Sequence, residues 1–549
     1  MSTIVDRIFP NPLATPEELE QRFPPRELPD GAMVTRVGPS PTGFMHIGTL
    51  YTGRLCAQFA RQTGGVSILR IEDTDKKREV EGAVGFIVDA FEHFGVDFDE
   101  GVGQGGIDKG PYAPYHQSDR REIYQAYVRH LIATGAAYPC FATAEELDSM
   151  RNQQNAGGVR TGYYGTWATW RDRSEADVIE ALDQGRPFVV RFKAPGKHMR
   201  KIEFEDLLFG PRTMPENDQD IVIMKSDGLP TYHLAHVVDD HLMRTTHVIR
   251  GDEWLPSVPL HLQLFEALGW DAPAYAHIAP INKMDGSSRR KLSKRKDPEA
   301  SVGYFDELGY PIEAVIDYLM TLADAGFEAW KLENPDRSSW DFELSMKGLQ
   351  GSSGPLFDFV KLGNISRNVI ADLTSEELCE RLQPWAKAHN TDLAALMDSE
   401  PERVRDILAI ERGGANARKD IEKWADVMDE VAYFFDAHFT LTADEAREKL
   451  PYLTADELAA LVRAYLDGYD PSEDRDVWFD KIKTLAGEHG FALRPKDFKK
   501  NPDDYKGTVA DVAKVFRVLL TGKERSPDLY SVMQVMGEDR VRARLALVL

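Results

Sequence analysis

Residues 34–75 read VTRVGPSPTGFMHIGTLYTGRLCAQFARQTGGVSILRIEDTD. A short apolar run from Met33 to Val37 predicts a strand, and Gly38-Pro39-Ser40-Pro41-Thr42-Gly43 a turn-rich connection. From His46-Ile47-Gly48-Thr49 a helical pattern takes over, burying Leu55, Cys56 and Phe59 on one side. Gly64-Gly65 ends it before a second apolar run, Val66 to Ile71. Strand, loop, helix and strand at this length predict a right-handed parallel crossover. The loop after the first strand then lies at the carboxyl edge, where open α/β sheets bind ligands.

The residue types at that edge have a chemistry. Gly43 and Gly48 remove side chains where the chain turns or a ligand approaches, and the helix start offers unpaired N–H groups to an anion. His46, beside that helix start, reads in two ways: as a donor to a phosphate oxygen whose charge grows in a transition state, or as a cap. Arg36 fits as a fork for a carboxylate and Glu72 as an acceptor for an ammonium group; alternatively each belongs to a structural ion pair. A second stretch, Arg289-Arg290-Lys291-Leu292-Ser293-Lys294-Arg295-Lys296, has six basic residues among eight in a chain of net charge -24. A loop with two lysine ammoniums can follow a triphosphate as charge shifts toward leaving pyrophosphate.

GPSPTGFMHIG, residues 38–48, resembles the signature of class I aminoacyl-tRNA synthetases in the form of the glutamyl-tRNA synthetase family. His46-Ile47-Gly48-Thr49 stands at the HIGH position, Thr49 replacing the second histidine, and Lys291-Leu292-Ser293-Lys294-Arg295 matches the KMSKS motif about 245 residues downstream. The resemblance covers nearly everything after residue 30. It implies catalytic roles for His46, Lys291 and Lys294, and an ATP site of His46, Gly48, Thr49, Trp254, Lys291 and Lys294. It implies glutamate contacts from Arg36, Ser40, Glu72, Tyr232, His236 and Arg250, with Arg250 selecting a side-chain carboxylate over an amide. The implied fold is α/β: a Rossmann-type parallel-sheet catalytic domain with an inserted acceptor-binding α+β domain, followed by an all-α C-terminal anticodon-binding region.

Length and pattern divide the chain accordingly. At 549 residues it exceeds one core, and roughly three to four domains are expected. Residues 1–30 form an extension rich in Pro and Glu, with Thr15 capping a helix opened by Pro16 and no secretory pattern. Residues 31–110 and 226–285 are the two catalytic halves, and 111–225 the insertion, whose aromatics and arginines read equally as core and solvated surface. Within these, helical patterning is expected over 76–94, a strand over 186–192, and a return to the same sheet from Asp220-Ile221-Val222-Ile223 onward. The KMSKS loop and a tRNA stem-contact region span 286–345. Patterns over 346–549 are helical, without the dense short strands of the β-barrel anticodon modules found in glutaminyl relatives. Around 411–419, Arg412 and Arg418 either meet an unstacked anticodon base or belong to a basic interhelical loop.

The resemblance implies two-step attachment of L-glutamate to tRNA(Glu) using ATP with Mg²⁺. The competing readings are an enzyme that also glutamylates tRNA(Gln), and a non-catalytic tRNA-binding paralogue. Three scattered cysteines, Cys56, Cys140 and Cys379, make no disulfide framework, and His116 and His130 near Cys140 lack ligand-pair spacing, so no structural zinc or other protein-held metal is expected. No segment is apolar enough to cross a bilayer, and a cytoplasmic monomer is expected. The acidic balance confines RNA contact to local basic patches.

Overall fold

The structure is a computed structural model describing residues 2–349, 354–414 and 417–549. Contacts divide it into two compact units, one of Met1–Phe305 with Ile316–Asp358, the other of Asp306–Val315 with Phe359–Leu549.

The first unit begins with α1 (Ser2–Ile8) and α2 (Pro16–Arg22). Thr15 caps α2 as its sequence predicts: its hydroxyl accepts the Glu18 N–H at 3.2 Å, and the Glu18 carboxylate accepts the Thr15 N–H at 2.8 Å. Next come β1 (Val34–Val37), α3 (Ile47–Thr63) and β2 (Val66–Leu69), with β1 and β2 parallel and Arg36 beside Ile68. Gly64 ends α3 at φ 67°, the left-handed conformation glycine adopts without strain. β3 (Glu100–Val102) and β4 (Asp108–Lys109) complete a sheet of order β1-β2-β3-β4, the last pair antiparallel.

The expected helix over 76–94 forms only as α4 (Ala83–His93). Gly82, at φ 78°, takes the left-handed conformation and sets the helix start there.

α5 (Arg121–Ala133) leads into the inserted region, which contains β5 (Ala137–Cys140), α6 (Ala144–Ala156), α7 (Glu175–Asp183), β6 (Val189–Phe192), the hairpin β7 (Lys201–Asp206) and β8 (Gly210–Pro215), and β9 (Val222–Met224). β5, β6 and β9 make an antiparallel sheet. The chain returns through α8 (Tyr232–Leu242), β10 (His247–Gly251), α9 (Val258–Leu268) and β11 (Ala274–Ile278). β10 and β11 are parallel, but their ladder is not continuous with β1. Thr246 replaces a strand partner, its hydroxyl accepting the Val34 N–H at 2.8 Å and its N–H bonding Val34 O at 3.0 Å. The β7–β8 hairpin joins β11 on its other side, pairing Asp206 with Tyr275, so the inserted region contributes to the second ladder. β12 (Asn282–Asp285) and β13 (Ser288–Lys291) then form an antiparallel hairpin carrying part of the basic run.

Among its described residues, the second unit is helical, with Ser375–His389, Ala455–Asp467, Arg475–Glu488, Val509–Thr521 and Glu538–Leu545 among its helices, as the patterns over 346–549 led one to expect. Val512, Val515, Phe516 and Leu519 recur at helical spacing and are fully buried. No helix among the described residues is long and apolar enough to cross a membrane.

Candidate active site

A cavity of about 400 Å³ opens at the carboxyl ends of β1, β10 and β11. Arg36, Ser40, Glu72, Tyr232 and Arg250 line it on the side expected to take the amino acid. His46, Gly48, Thr49, Trp254 and Lys291 line the same space. Two expected residues stand outside the lining. His236 is fully buried behind Arg36 and Arg250, and Lys294 is exposed, its ammonium on the Phe44 carbonyl.

His46 caps α3. Its Nδ1 accepts the Gly48 N–H at 2.9 Å, so its proton lies on Nε2, 3.3 Å from the Leu292 carbonyl. Burial, with Lys294 and Lys291 nearby, lowers its pKa against the Leu292 hydrogen bond. The imidazole is therefore neutral near neutral pH, with one N–H to donate. The capping and phosphate-donor readings are compatible because they use different ring nitrogens.

Arg36 is held by a buried charge network. Its Nε lies 3.2 and 3.1 Å from the two Asp240 oxygens, while Nη1 makes no hydrogen bond among the described residues. Asp240 also accepts Arg70 Nη1 at 2.6 Å, and Arg70 Nη2 reaches Glu72 at 3.1 Å. Asp239 takes Arg120 at 2.7 Å, Gln117 at 2.9 Å and the Tyr124 hydroxyl at 2.7 Å. Burial opposes the Asp240 charge, but Arg36 and Arg70 outweigh it and hold Asp240 well below the ordinary carboxylate range. For Glu72 burial prevails over Arg70 and Arg36 and raises the pKa. Glu72 lies over Gly38, where a Cβ would come within 2.3 Å of its Oε1, so the bare backbone makes room for this carboxylate. Asp239, Asp240 and Arg70 were legible only as charges flanking apolar runs, a signal without partners.

Arg250 has different surroundings. Nε donates to His277 Nε2 at 3.0 Å and Nη1 to the Tyr232 hydroxyl at 3.1 Å. Nη1 lies 3.5 Å from His236 Nε2, and Nη2 lies 3.4 Å from His261 Nδ1 and 3.5 Å from Trp254 O. Burial brings His236 down to about 3 and also lowers His261 and His277, leaving all three neutral. No carboxylate among the described residues pairs with Arg250, which is only 5% exposed. A buried cation among neutral partners at a cavity wall is a site for an anionic ligand.

The basic hairpin closes one side. Lys291 pairs with Glu253 at 3.0 Å, and Arg290 forks onto Asp297 at 2.6 and 2.7 Å. Asp297 also accepts the Ser293 N–H at 2.9 Å, fixing the turn that carries Lys294. Only the folded hairpin brings Lys291 to Glu253 and Arg290 to Asp297; nothing in the sequence pairs them.

Outside this cavity, Cys140 contacts the Tyr163 hydroxyl at 3.3 Å and Cys56 donates to the Arg36 carbonyl at 3.4 Å. Among the described residues no group of three or more His, Cys, Asp or Glu is placed to hold a metal. In the second unit, Arg412 bonds the carbonyls of Leu408 at 2.8 Å and Ile370 at 2.6 Å. Arg418 pairs with Asp420 at 2.8 Å and Glu430 at 3.0 Å, contacts of the interhelical-loop alternative. Ala415 and Asn416, between them, lie outside the described residues.

Comparison with known proteins agrees with this geometry. Residues 32–332 match the family described as tRNA synthetases class I (E and Q), catalytic domain, and residues 498–549 match an anticodon binding domain. A glutamate–tRNA ligase of Clostridium perfringens (strain 13 / Type A) is 45% identical over 542 residues, covering 99% of both chains. One of Acetivibrio thermocellus is 45% identical over 548 residues, covering 100% of this chain and 99% of its own. The crystal structure of a glutamate tRNA ligase from Elizabethkingia meningosepticum, in complex with its amino acid, superposes with a TM-score of 0.73 at 29% identity, covering 94% of this chain and 99% of its own. With its motifs gathered around one cavity and this likeness running the length of the sequence, the chain belongs to the glutamate–tRNA ligase family of class I aminoacyl-tRNA synthetases.

Proposed function

We propose that this cavity carries out the ATP-dependent attachment of L-glutamate to tRNA(Glu), and that its residues divide the work as follows. The observation that carries the reading is Arg250, a buried guanidinium without a carboxylate partner among the described residues, at the wall of the cavity. It receives the glutamate side-chain carboxylate, for which a glutamine amide is a poor substitute. Arg36 takes the α-carboxylate through its open Nη1, and Glu72 takes the ammonium group. Ser40 and Tyr232 complete this pocket with hydroxyl groups, and His236 backs it.

An α-carboxylate oxygen attacks the α-phosphorus of ATP, and the bond to the β-phosphate oxygen breaks to release pyrophosphate. The 2′-hydroxyl of the terminal tRNA adenosine then attacks the adenylate carbonyl, and AMP leaves. His46 Nε2–H, the α3 N-terminus at Gly48 and Thr49, and the ammoniums of Lys291 and Lys294 stabilise the charge that develops on the phosphates; Trp254 packs the nucleotide. Magnesium would come with ATP as part of the substrate and would offset charge on its phosphates. No protein nucleophile is required: positioning and electrostatics suffice.

Residues 111–225 take the tRNA acceptor end, 286–345 carry the nucleotide loop and stem contacts, and the helical region after 346 meets the anticodon. The enzyme acts as a cytoplasmic monomer.

The test is ATP–pyrophosphate exchange with glutamate and with glutamine, each with and without tRNA. Exchange with glutamate but not glutamine is expected. Its absence under all conditions, with tRNA still bound, overturns the reading in favour of a binding protein. Lys294→Ala is expected to lower adenylate formation far more than tRNA affinity, and equal losses remove its assigned role.

A further inference from the structure

Among the described residues, the Nε edge of Arg250 has one partner, His277 Nε2 at 3.0 Å. A guanidinium only donates, so His277 Nε2 accepts and the ring proton sits on Nδ1. That Nδ1 lies 2.6 Å from Asp206 Oδ2. Asp206 and His277 are both fully buried. The other Asp206 oxygen accepts the N–H groups of Leu208 at 3.0 Å and Phe209 at 2.9 Å in the β7–β8 turn. β7 itself pairs with β11, the strand that carries His277. The carboxylate is thus fixed by backbone, the imidazole by the carboxylate, and the guanidinium by the imidazole.

We propose that Asp206 and His277 are positioning residues for Arg250. Asp206 sets the Nδ1–H tautomer of His277, which aims its lone pair at Arg250 Nε and commits that edge. The Nη edge, whose contacts to Tyr232, His236, His261 and Trp254 run from 3.1 to 3.5 Å, is then the one that grips a substrate carboxylate. This rests on the reading that Arg250 receives the glutamate side chain. It adds that discrimination of glutamate from glutamine depends on a carboxylate of the inserted hairpin that does not touch the substrate.

Asp206→Asn tests it at nearly constant shape. Its amide oxygen can keep the two turn bonds, which leaves the NH₂ toward His277. His277 Nδ1 must then accept, and the displaced proton on Nε2 meets Arg250 Nε–H, donor against donor. In ATP–pyrophosphate exchange with the full chain and tRNA, we expect the glutamate KM to rise about 10-fold or more, with kcat and the ATP KM within about 3-fold. The preference for glutamate over glutamine falls in parallel. His277→Gln, which can offer an amide oxygen to Arg250 but loses Asp206, is expected to raise the glutamate KM by a smaller factor; if Asp206→Asn does not fold, an unchanged glutamate KM and preference in folded His277→Gln overturns the proposal.

An unchanged glutamate KM and preference in a folded Asp206→Asn protein overturns the proposal. So does a uniform loss of activity that follows the loss of folded protein. Arg250→Gln separates the two layers. If it too leaves glutamate recognition unchanged, the reading of Arg250 fails with the proposal; if it impairs recognition while Asp206→Asn does not, only the positioning role fails.

Discussion

His46 caps a helix with one ring nitrogen, and the role proposed for it in catalysis uses the other. Nδ1 completes the helix start at Gly48, while Nε2–H, which lies 3.3 Å from the Leu292 carbonyl, is the donor proposed to turn to phosphate, so the two functions can be separated by substitution. His46→Asn supplies a strong N-cap acceptor but no equivalent donor, so it is expected to keep the melting temperature while kcat falls about 10²- to 10³-fold. A comparable loss of stability would mean the ring serves chiefly as structure. Glu72 makes a prediction in pH. Burial raises its pKa, and only the ionised form attracts an ammonium group. Glutamate affinity should therefore be full above that raised pKa and fall as pH drops through it, at a higher pH than for an ordinary glutamic acid. Glu72→Gln should weaken glutamate binding and flatten that limb of the KM–pH profile.

At the scale of elements, α8 carries Tyr232 to the cavity wall, His236 to its place behind Arg36 and Arg250, and Asp239 and Asp240 to the arginine network. Its far end is clasped by the N-terminal extension. Glu20 meets His241 and Arg244, each at 2.6 Å, and Arg26 forks onto Glu100 at 2.7 and 2.8 Å while bonding Met243 O at 3.0 Å. Arg244 has φ 61°, an uncommon conformation for a residue with a Cβ, and its guanidinium is tied to Phe23 O and Glu20. Arg26→Ala would leave Glu100 nearly buried, with only the Tyr115 hydroxyl, at 2.9 Å, as a side-chain hydrogen-bond partner among the described residues. It is expected to cost about 3–5 kcal/mol in denaturant titration, the range for breaking a buried ion pair from one side. A change below about 1 kcal/mol would mark the pair as an ordinary surface contact. The helix start at Thr15 was legible because capping is local; the clasp was not, because Glu20 lies 221 and 224 residues from His241 and Arg244, and Arg26 lies 74 from Glu100.

At the scale of the whole molecule, the two units have separate buried cores, and ligands of the first should stabilise it without moving the second. In calorimetry of the full chain, saturating glutamate with ATP is expected to raise one transition, by about 2.7 kcal/mol at one hundred times Kd, and leave another in place. A single transition that moves as a whole would show the units unfold together. The net charge of -24 sets the other global property. Binding of polyanionic tRNA must rely on local basic surface against an overall acidic field, so affinity should fall steeply with added salt.

The sequence by itself determined the local and the periodic. Strand, turn and helix over 34–69 followed from apolar runs, glycine and helical spacing, as did the helices of the second unit, because these signals act within a few residues. Motif identity carried the cavity residues on that local frame, and ten of the twelve expected there line one space. Tertiary structure alone decided which charges meet. Asp240 between Arg36 and Arg70, and Asp206 behind His277 and Arg250, join elements far apart in sequence. It also decided that the sheet breaks beside Thr246, where a hydroxyl takes a strand's hydrogen bond, and that a hairpin of the inserted region extends the second ladder. A pair of charges buried together is stabilised by partner geometry, and that geometry exists only once the chain has closed around it.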